Sequence, residues 1–195
     1  MEDPLGVVPS HSEAEGNQPG LAASAGRFLF RLLKELVGTI VPAVLIALFI
    51  NVFVAQAMVV HGPSMEPNLF YEERVVVEKV SYRLQGPHRG DVVVIEVPGQ
   101  AEPLIKRVVG LPGDRIAVRG GKVFIDDEWL DEPWTDRVGG PDYPEMRVPE
   151  GHIFVLGDNR AHSNDSRSFG TVAIDRIIGR AWVIYWPLDE AGLIR

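Results

Sequence analysis

Between Glu35 and His61 lie 25 consecutive residues with no formally charged side chain, and 20 of them are Ala, Val, Ile, Leu, Met or Phe. As a helix this run is about 37 Å long at ~1.5 Å per residue, enough to span a hydrocarbon core of ~30 Å with some tilt. A core helix of a water-soluble domain rarely stays apolar on every face for that length. The pattern predicts one transmembrane helix over about 36–60. Arg27, Arg31 and Lys34 flank its start, and basic flanks are retained on the cytoplasmic side, so the N-terminus is expected in the cytoplasm and everything beyond about Val60 outside it. Pro42 falls about two turns into the run, a position the bilayer tolerates. Ala55-Gln56-Ala57 has the small-x-small pattern of an export-signal cleavage site. The apolar stretch before it exceeds the ~7 to 15 residues of a cleaved signal, so it reads as an uncleaved anchor, although the pattern stays compatible with cleavage after Ala57.

The parts on either side differ in composition. Residues 1–26 contain Glu2, Asp3, Glu13 and Glu15 but no Lys or Arg, together with Pro4, Pro9, Gly16, Pro19 and Gly20. Few large apolar groups offset the entropy of ordering this stretch, which reads as a disordered cytoplasmic tail. Residues 27–60 form the expected anchor, and 61–195 an extracytoplasmic domain. The net charge of -8, from 19 Lys and Arg against 27 Asp and Glu, with no basic run to follow a phosphate backbone, argues against nucleic acid as a partner. Zero cysteines exclude disulfides, thiol nucleophiles and thiolate metal sites. No spacing of His and carboxylates suggests a metal, and no cofactor is implied.

From Arg74 onward short β-branched runs alternate with Gly, Pro and Asp. Strands are expected at Arg74–Val80, Asp91–Val97, Leu104–Val109, Asp114–Val118, Lys122–Ile125, His152–Leu156 and Ile177–Trp186. Gly120-Gly121 between two of them signals a hairpin, since both positions can take positive φ. Residues 126–150, rich in Asp, Glu, Pro and Trp, read as an extended excursion. The fold expected is mainly β, a barrel-like or folded sheet after a single N-terminal transmembrane helix.

Three segments could carry chemistry. Gly62-Pro63-Ser64-Met65-Glu66-Pro67 follows the apolar run directly, and two prolines limit the freedom of a loop holding Ser64; the same pattern fits an ordinary turn. Leu104-Ile105-Lys106-Arg107-Val108-Val109 places two charges in a strand, where neighbours point to opposite faces, so one of them is expected to face inward. Lysines number only four, Lys34, Lys79, Lys106 and Lys122, against 15 arginines. Arg cannot deprotonate in a protein, whereas a desolvated Lys can. Near its ordinary pKa only about one lysine in 2,500 is neutral at pH 7, and burial that brings the pKa to ~7 to 8 makes a usable general base. A surface lysine at a strand edge is the commoner origin of such a pattern. The run from Gly157 to Gly170 is dense in Asp, Asn, Ser and Arg; it forms either an elaborate turn or a polar wall that orients a lysine, with Asp165 able to pair with Arg167 or Arg160.

Taken together, these boxes resemble the bacterial type I signal peptidases, membrane-anchored serine proteases that remove signal peptides from exported proteins. The resemblance rests on an N-terminal anchor, then Pro63-Ser64-Met65-Glu66-Pro67, Arg89-Gly90-Asp91-Val92-Val93-Val94, Ile105-Lys106-Arg107-Val108-Val109-Gly110-Leu111-Pro112-Gly113-Asp114, and Gly157-Asp158-Asn159-Arg160 through Ser163, Asp165, Ser166 and Arg167. It covers roughly residues 30–187. The resemblance implies Ser64 as nucleophile and neutral Lys106 as general base, a Ser-Lys dyad. Ser163 would hydrogen-bond the lysine amine, Asp165 and Arg167 would fix the loop, and the Ser64 backbone N–H would stabilise the oxyanion. Met65 would sit beside the serine and touch substrate. Gly62 stands where some members carry a serine hydroxyl that assists the oxyanion, and Asn68 where many have Thr. Substrates of the family have small side chains, usually Ala, at the first and third positions before the cut; Val59, Val60, Met65, Ile105 and Val108 are candidates to line those pockets. Exported preproteins and the lipid bilayer are the implied partners, and the cytoplasmic membrane the implied site.

His61, His88, His152 and His162 all follow the anchor, but the family assigns none of them a role, and surface positions are expected. A self-cleaving repressor with a Ser-Lys dyad fits poorly with a membrane span. A non-enzymatic anchored β-domain would fit only if Ser64 or Lys106 were missing. A relative dedicated to a narrow substrate set has the same sequence features.

Overall fold

The structure, a computed structural model, describes residues 21–135 and 139–194. Most of the expected acidic tail lies outside the described residues. They divide into two compact units, one ending at Ile46 and one running from Ala47. Helix α1 spans Leu21–Phe49 with Pro42 inside it. Its start at Leu21 lies within the stretch expected to be tail, where Ala22, Ala23 and Ala25 favour helix. From Phe28 to Phe49 every residue is exposed, so beyond Glu35 an apolar surface runs around the helix. Among the described residues, Phe28–Val54 is the one helical stretch long and apolar enough to cross a membrane.

The helix stops earlier than the apolar run predicts. A π-helical turn at Ile50–Val54 leads into strand β1, Ala55–Val59, so the last residues of the predicted 36–60 span are sheet. Hydropathy cannot see this boundary because Ala, Met and Val serve either structure. The decisive interaction is non-local: Ala55 to Val59 pair in register with Glu78 to Arg74 of strand β2, Arg74–Glu78.

The second unit is mainly β, as expected. After β2 come a short helix α2, Ser81–Leu84, then β3, Val92–Ile95, β4, Leu104–Gly110, β5, Arg115–Arg119, and β6, Lys122–Ile125. These are followed by β7, Glu128–Trp129, β8, Tyr143–Arg147, β9, His152–Leu156, helix α3, Ser166–Phe169, β10, Val172–Ala173, β11, Ile177–Trp186, and β12, Gly192–Leu193. One antiparallel sheet has the order β1-β2-β11-β3-β4-β9-β10, with β12 beside β11; the other has the order β7-β6-β5-β8. Register shifts on β11 at Ile177/Gly179, Ala181/Val183 and Ile184/Trp186 bend the long strand. Gly120 and Gly121, at φ 58° and 76°, turn β5 into β6, as the two-residue hairpin requires.

The stretch 126–150 is no simple excursion. It supplies β7 and β8, and β8 pairs with β5 through Arg147 and Met146. Pro144 hides this strand from a sequence reading, because proline is tolerated in sheets mainly at edges, and β8 is an edge.

Three apolar groups hold the unit together. Val60, Met65, Leu69, Val75 and Val77 form one, and Val93, Ile95, Val108, Ile153 and Val155 a second. Val109, Ile116, Val118, Val123, Phe154 and Leu156 form a third, which joins the two sheets. Strand β4 lies among all three, and each of its residues from Ile105 to Gly110 is buried. This corrects the expectation that only one of Lys106 and Arg107 faces inward. Neighbouring side chains do emerge on opposite faces, but both faces of β4 are covered, and Lys106 and Arg107 are 3% and 1% exposed.

Candidate active site

Ser64 sits in a loop closed at its base by backbone bonds between Val60 and the Glu72-Glu73 pair, Val60 N donating to Glu73 O at 2.8 Å and Glu72 N to Val60 O at 3.0 Å. Inside the loop, Glu66 N donates to Pro63 O, and both Asn68 N and Leu69 N donate to Met65 O, at 3.2, 2.9 and 3.0 Å. The chain therefore makes two overlapping tight turns, the first of which contains Ser64. Met65 and Leu69, 1% and 0% exposed, plunge into the first apolar group and anchor these turns from below. Met65 is thus part of the core here.

The loop between β9 and α3 fixes the turn from the other side. Asn159 N donates to Ser64 O at 3.0 Å and Asn159 Nδ2 to Pro63 O at 3.1 Å. The approach is so close that a Cβ on Gly157 would overlap Ser163 Oγ and Ser64 O.

Across from Ser64, β4 delivers Lys106. Its Nζ lies 2.8 Å from Ser64 Oγ and donates to Ile105 O at 2.8 Å. Burial pushes the amine down from 10.5 to about 8, against the opposing pull of the Asp165 and Asp158 carboxylates. At that value roughly a tenth of the molecules hold a neutral amine at pH 7. A buried, deprotonatable amine within hydrogen-bond reach of a hydroxyl has the geometry by which a base can activate a nucleophile.

A groove of about 660 Å³ opens beside the pair, lined by Met58, Val59, His61 and Gly62 on one side and by Gln100–Lys106 on the other. Val59 and Ile105 line it, whereas Val60, Met65 and Val108, at 2%, 1% and 0% exposure, belong to the core. Gly62 takes φ 82°, with open space where a side chain would stand.

The supporting residues are partly as expected. Arg167 holds Asp165 through Nε to Oδ1 at 2.9 Å and Nη2 to Oδ2 at 2.8 Å, both side chains buried. Asp165 also accepts from Gly157 N at 3.1 Å and caps α3 by accepting from Arg167 N. Arg160 turns instead to Glu132, which it meets with two guanidinium nitrogens. Ser163 Oγ is buried beside Gly157 but makes no hydrogen bond among the described residues. The contact with Lys106 expected of it is not formed; the lysine's hydrogen bonds go to Ser64 Oγ and Ile105 O. His162 Nδ1 lies 3.3 Å from Asn159 Oδ1, apart from the Ser64–Lys106 contact.

A second charged pair was not anticipated. Arg107, on the opposite face of β4 from Lys106, meets Asp158 through Nε to Oδ1 at 2.8 Å and Nη2 to Oδ2 at 2.6 Å, and also donates to Gly90 O. Its guanidinium stacks 5.1 Å over the Trp134 ring. The adjacent Lys-Arg charges in a strand were the available signal, but reading them as one inward and one outward residue concealed a core on both faces.

Residues 33–186 match the family model described as signal peptidase, peptidase S26. The chain belongs to this signal peptidase family. It is similar to a probable signal peptidase I-2 of Synechocystis sp., 39% identical over 82% of this chain and 76% of the relative. It is also similar to signal peptidase I of Leptolyngbya laminosa, 42% identical over 82% and 83%, and of Bacillus caldolyticus, 38% identical over 76% and 88%. As a member of the peptidase S26 family the chain is a serine peptidase. The family is membrane-associated, and α1 is consistent with such an anchor.

Proposed function

We propose that this signal peptidase removes N-terminal signal peptides from exported preproteins at the outer face of the cytoplasmic membrane, with Ser64 as nucleophile and neutral Lys106 as general base. The single observation that carries this reading is the 2.8 Å contact between Lys106 Nζ and Ser64 Oγ beside an open groove. Lys106 takes the Ser64 hydroxyl proton as Oγ attacks the scissile carbonyl carbon. The oxyanion forms near the Ser64 backbone N–H, which stabilises it. Gly62 supplies no side-chain hydroxyl, so any further donor comes from elsewhere. As the C–N bond breaks, the Lys106 ammonium returns the proton to the leaving amine, and the signal segment remains as an ester on Ser64. Water, giving a proton to neutral Lys106, then attacks that ester, and as the bond to Oγ breaks the Lys106 ammonium returns the proton to Ser64 Oγ while the signal segment leaves as a free carboxylic acid.

The groove supports an extended substrate. Among the described residues strand β1 is an edge, hydrogen-bonded only to β2 in the sheet order, so its other side can pair with a peptide strand. Met58 and Val59 of β1 line the groove. Ser64 follows the apolar segment within ten residues of Val54, where that segment ends. A signal peptide is cut just beyond its own apolar segment, so tethering to the same bilayer raises the effective concentration of the two partners. The basic flank of Arg27, Arg31 and Lys34 supports a cytoplasmic N-terminus with the peptidase unit outside.

The test is cleavage of a preprotein carrying an Ala-x-Ala site by the detergent-solubilised full chain and by Lys106→Arg, with product masses measured. Wild type is expected to cut after the second small residue, and Lys106→Arg, which cannot deprotonate, to be inactive. Equal cutting by both would sink the lysine base; cutting by neither would sink the substrate assignment.

A further inference from the structure

Asn68 links parts of the site that no covalent path joins closely. One turn after Ser64, its Nδ2 donates to Asp158 Oδ2 at 2.8 Å and to Trp134 O at 2.6 Å. Both partners are acceptors only, so the amide nitrogen must face them, and its two N–H groups serve one each. A hydroxyl at this position would have a single proton to give.

We propose that Asn68 is a positioning residue for the dyad, locking the turn that carries Ser64 to the strand that carries Lys106. The inference rests on the Ser64–Lys106 reading above. A closed circuit can be traced through named contacts. Ser64 and Asn68 lie in two overlapping turns, closed by Glu66 N to Pro63 O and by Asn68 N to Met65 O; Asn68 holds Asp158; Asp158 holds Arg107 through both oxygens. Arg107 is the covalent neighbour of Lys106, and Lys106 returns to Ser64 Oγ. The position of the nucleophile relative to its base is therefore specified twice, once directly and once around the opposite face of β4. The direct contact weakens when Ser64 Oγ is esterified, because an ester oxygen is a poorer acceptor than a hydroxyl and has no proton to give. The Asn68 path survives acylation and keeps the amine placed for the water that follows. Misplacement of reacting groups by about 1 Å can cost on the order of a hundredfold in rate, so a second tether has catalytic value.

Electrostatics gives this role a distinct signature. The carboxylates acting on Lys106 are Asp165, which is paired with Arg167, and Asp158, which is paired with Arg107 and bonded to Asn68. Without the amide, Asp158 is less compensated and favours the protonated amine, so the acid limb of activity moves to higher pH.

The experiment uses the full chain in detergent micelles and an Ala-x-Ala preprotein, with kcat and KM measured separately from pH 6 to 10 for Asn68→Ala, Asn68→Asp, Asn68→Thr and Ser64→Ala. Asn68→Ala is expected to lower kcat about tenfold with KM within about twofold of wild type, and to move the acid limb upward. Asn68→Asp, with a carboxylate against Asp158, is expected to do more of both, and Asn68→Thr, keeping one donor, to recover most of the loss. Wild-type kcat and pH profile in Asn68→Ala overturn the inference, whatever happens to Tm. A fall in kcat with an unmoved pH profile and no recovery in Asn68→Thr also overturns it, because that is loss of structure. If Asn68→Asp does not fold, the Ala and Thr variants decide. Retained cleavage in Ser64→Ala would instead break the dyad reading itself, which separates the two failures.

Discussion

Lys106 is 3% exposed, and its amine is held at about 8 instead of 10.5, chiefly by burial. Below pH 8 folding must place a charged amine where it is poorly solvated, while the unfolded chain carries the same charge in water. At ~1.36 kcal/mol per pKa unit the penalty is on the order of 3 kcal/mol. Because the folded state has the lower pKa, the unfolded chain binds more protons between pH 8 and 10.5. Stability therefore rises with pH across that window, the penalty being full below 8 and gone above 10.5. Lys106→Met keeps most of the stem and removes the charge. It gives up bonds to Ser64 Oγ and Ile105 O, worth about 1 kcal/mol each, although Ser64 is only half-buried and can turn to water. The variant is expected to be inactive yet more stable at pH 7 by on the order of 1 to 3 kcal/mol, or roughly 2 to 10 °C in Tm. Thermal unfolding in micelles from pH 7 to 10.5 checks it, with the advantage shrinking as pH rises. In parallel, wild-type kcat/KM is expected to fall about tenfold per pH unit below 7, as the neutral fraction drops. A variant less stable than wild type at pH 7, or a stability difference equal at every pH, would refute the argument that burial of this amine works against folding.

Two further outcomes follow from the packing. Arg107→Leu leaves Asp158, with a side chain 1% exposed, as a buried charge without its main partner; a loss of about 3 to 5 kcal/mol is expected, read as a lower urea midpoint with unchanged m-value. Gly157→Ala puts a Cβ against Ser64 O and Ser163 Oγ, so it should displace the nucleophile; a fall in kcat of about a hundredfold is expected, and wild-type turnover would show that the loop yields without consequence.

The parts legible in sequence were those set by local chemistry. Strand β9, β6 and β11 have the bounds their β-branched runs indicate, and Gly120-Gly121 makes the hairpin its φ freedom allows. The parts that were not legible depend on what lies across space. Ala55–Val59 reads as the end of an apolar helix until β2 offers it a register, and Pro144 disguises β8 as loop until β5 pairs with it. The same holds at the site. Ser64 and Lys106 are marked by residue type, because a lysine among arginines has a chemical reason to be there. Met65, by contrast, has a side chain that suits a pocket or a core equally, and only the packing around Val60 and Val75 assigns it to the core. Asn68 carries no signal in its neighbours; its two acceptors lie 66 and 90 residues away.

Strand β4 shows why these features occur together. A lysine that must lose its proton near neutral pH needs burial, and a strand buries a residue fully only when the sheet is covered. Covering both faces also buries the next residue on the strand. An apolar side chain there would meet that demand most simply. Arg107 instead brings a second charge inside, and Asp158, Gly90 O and the Trp134 ring meet it. Replacing such buried pairs by apolar groups is often neutral or stabilising in proteins at large, so stability alone gives little reason for the pair. Its position does: Asp158 belongs to the same loop whose Asn159 grips Ser64 O, and Asn68 ties that carboxylate back to the nucleophile turn. The polar face of β4 thus connects the strand bearing Lys106 to both segments that hold Ser64.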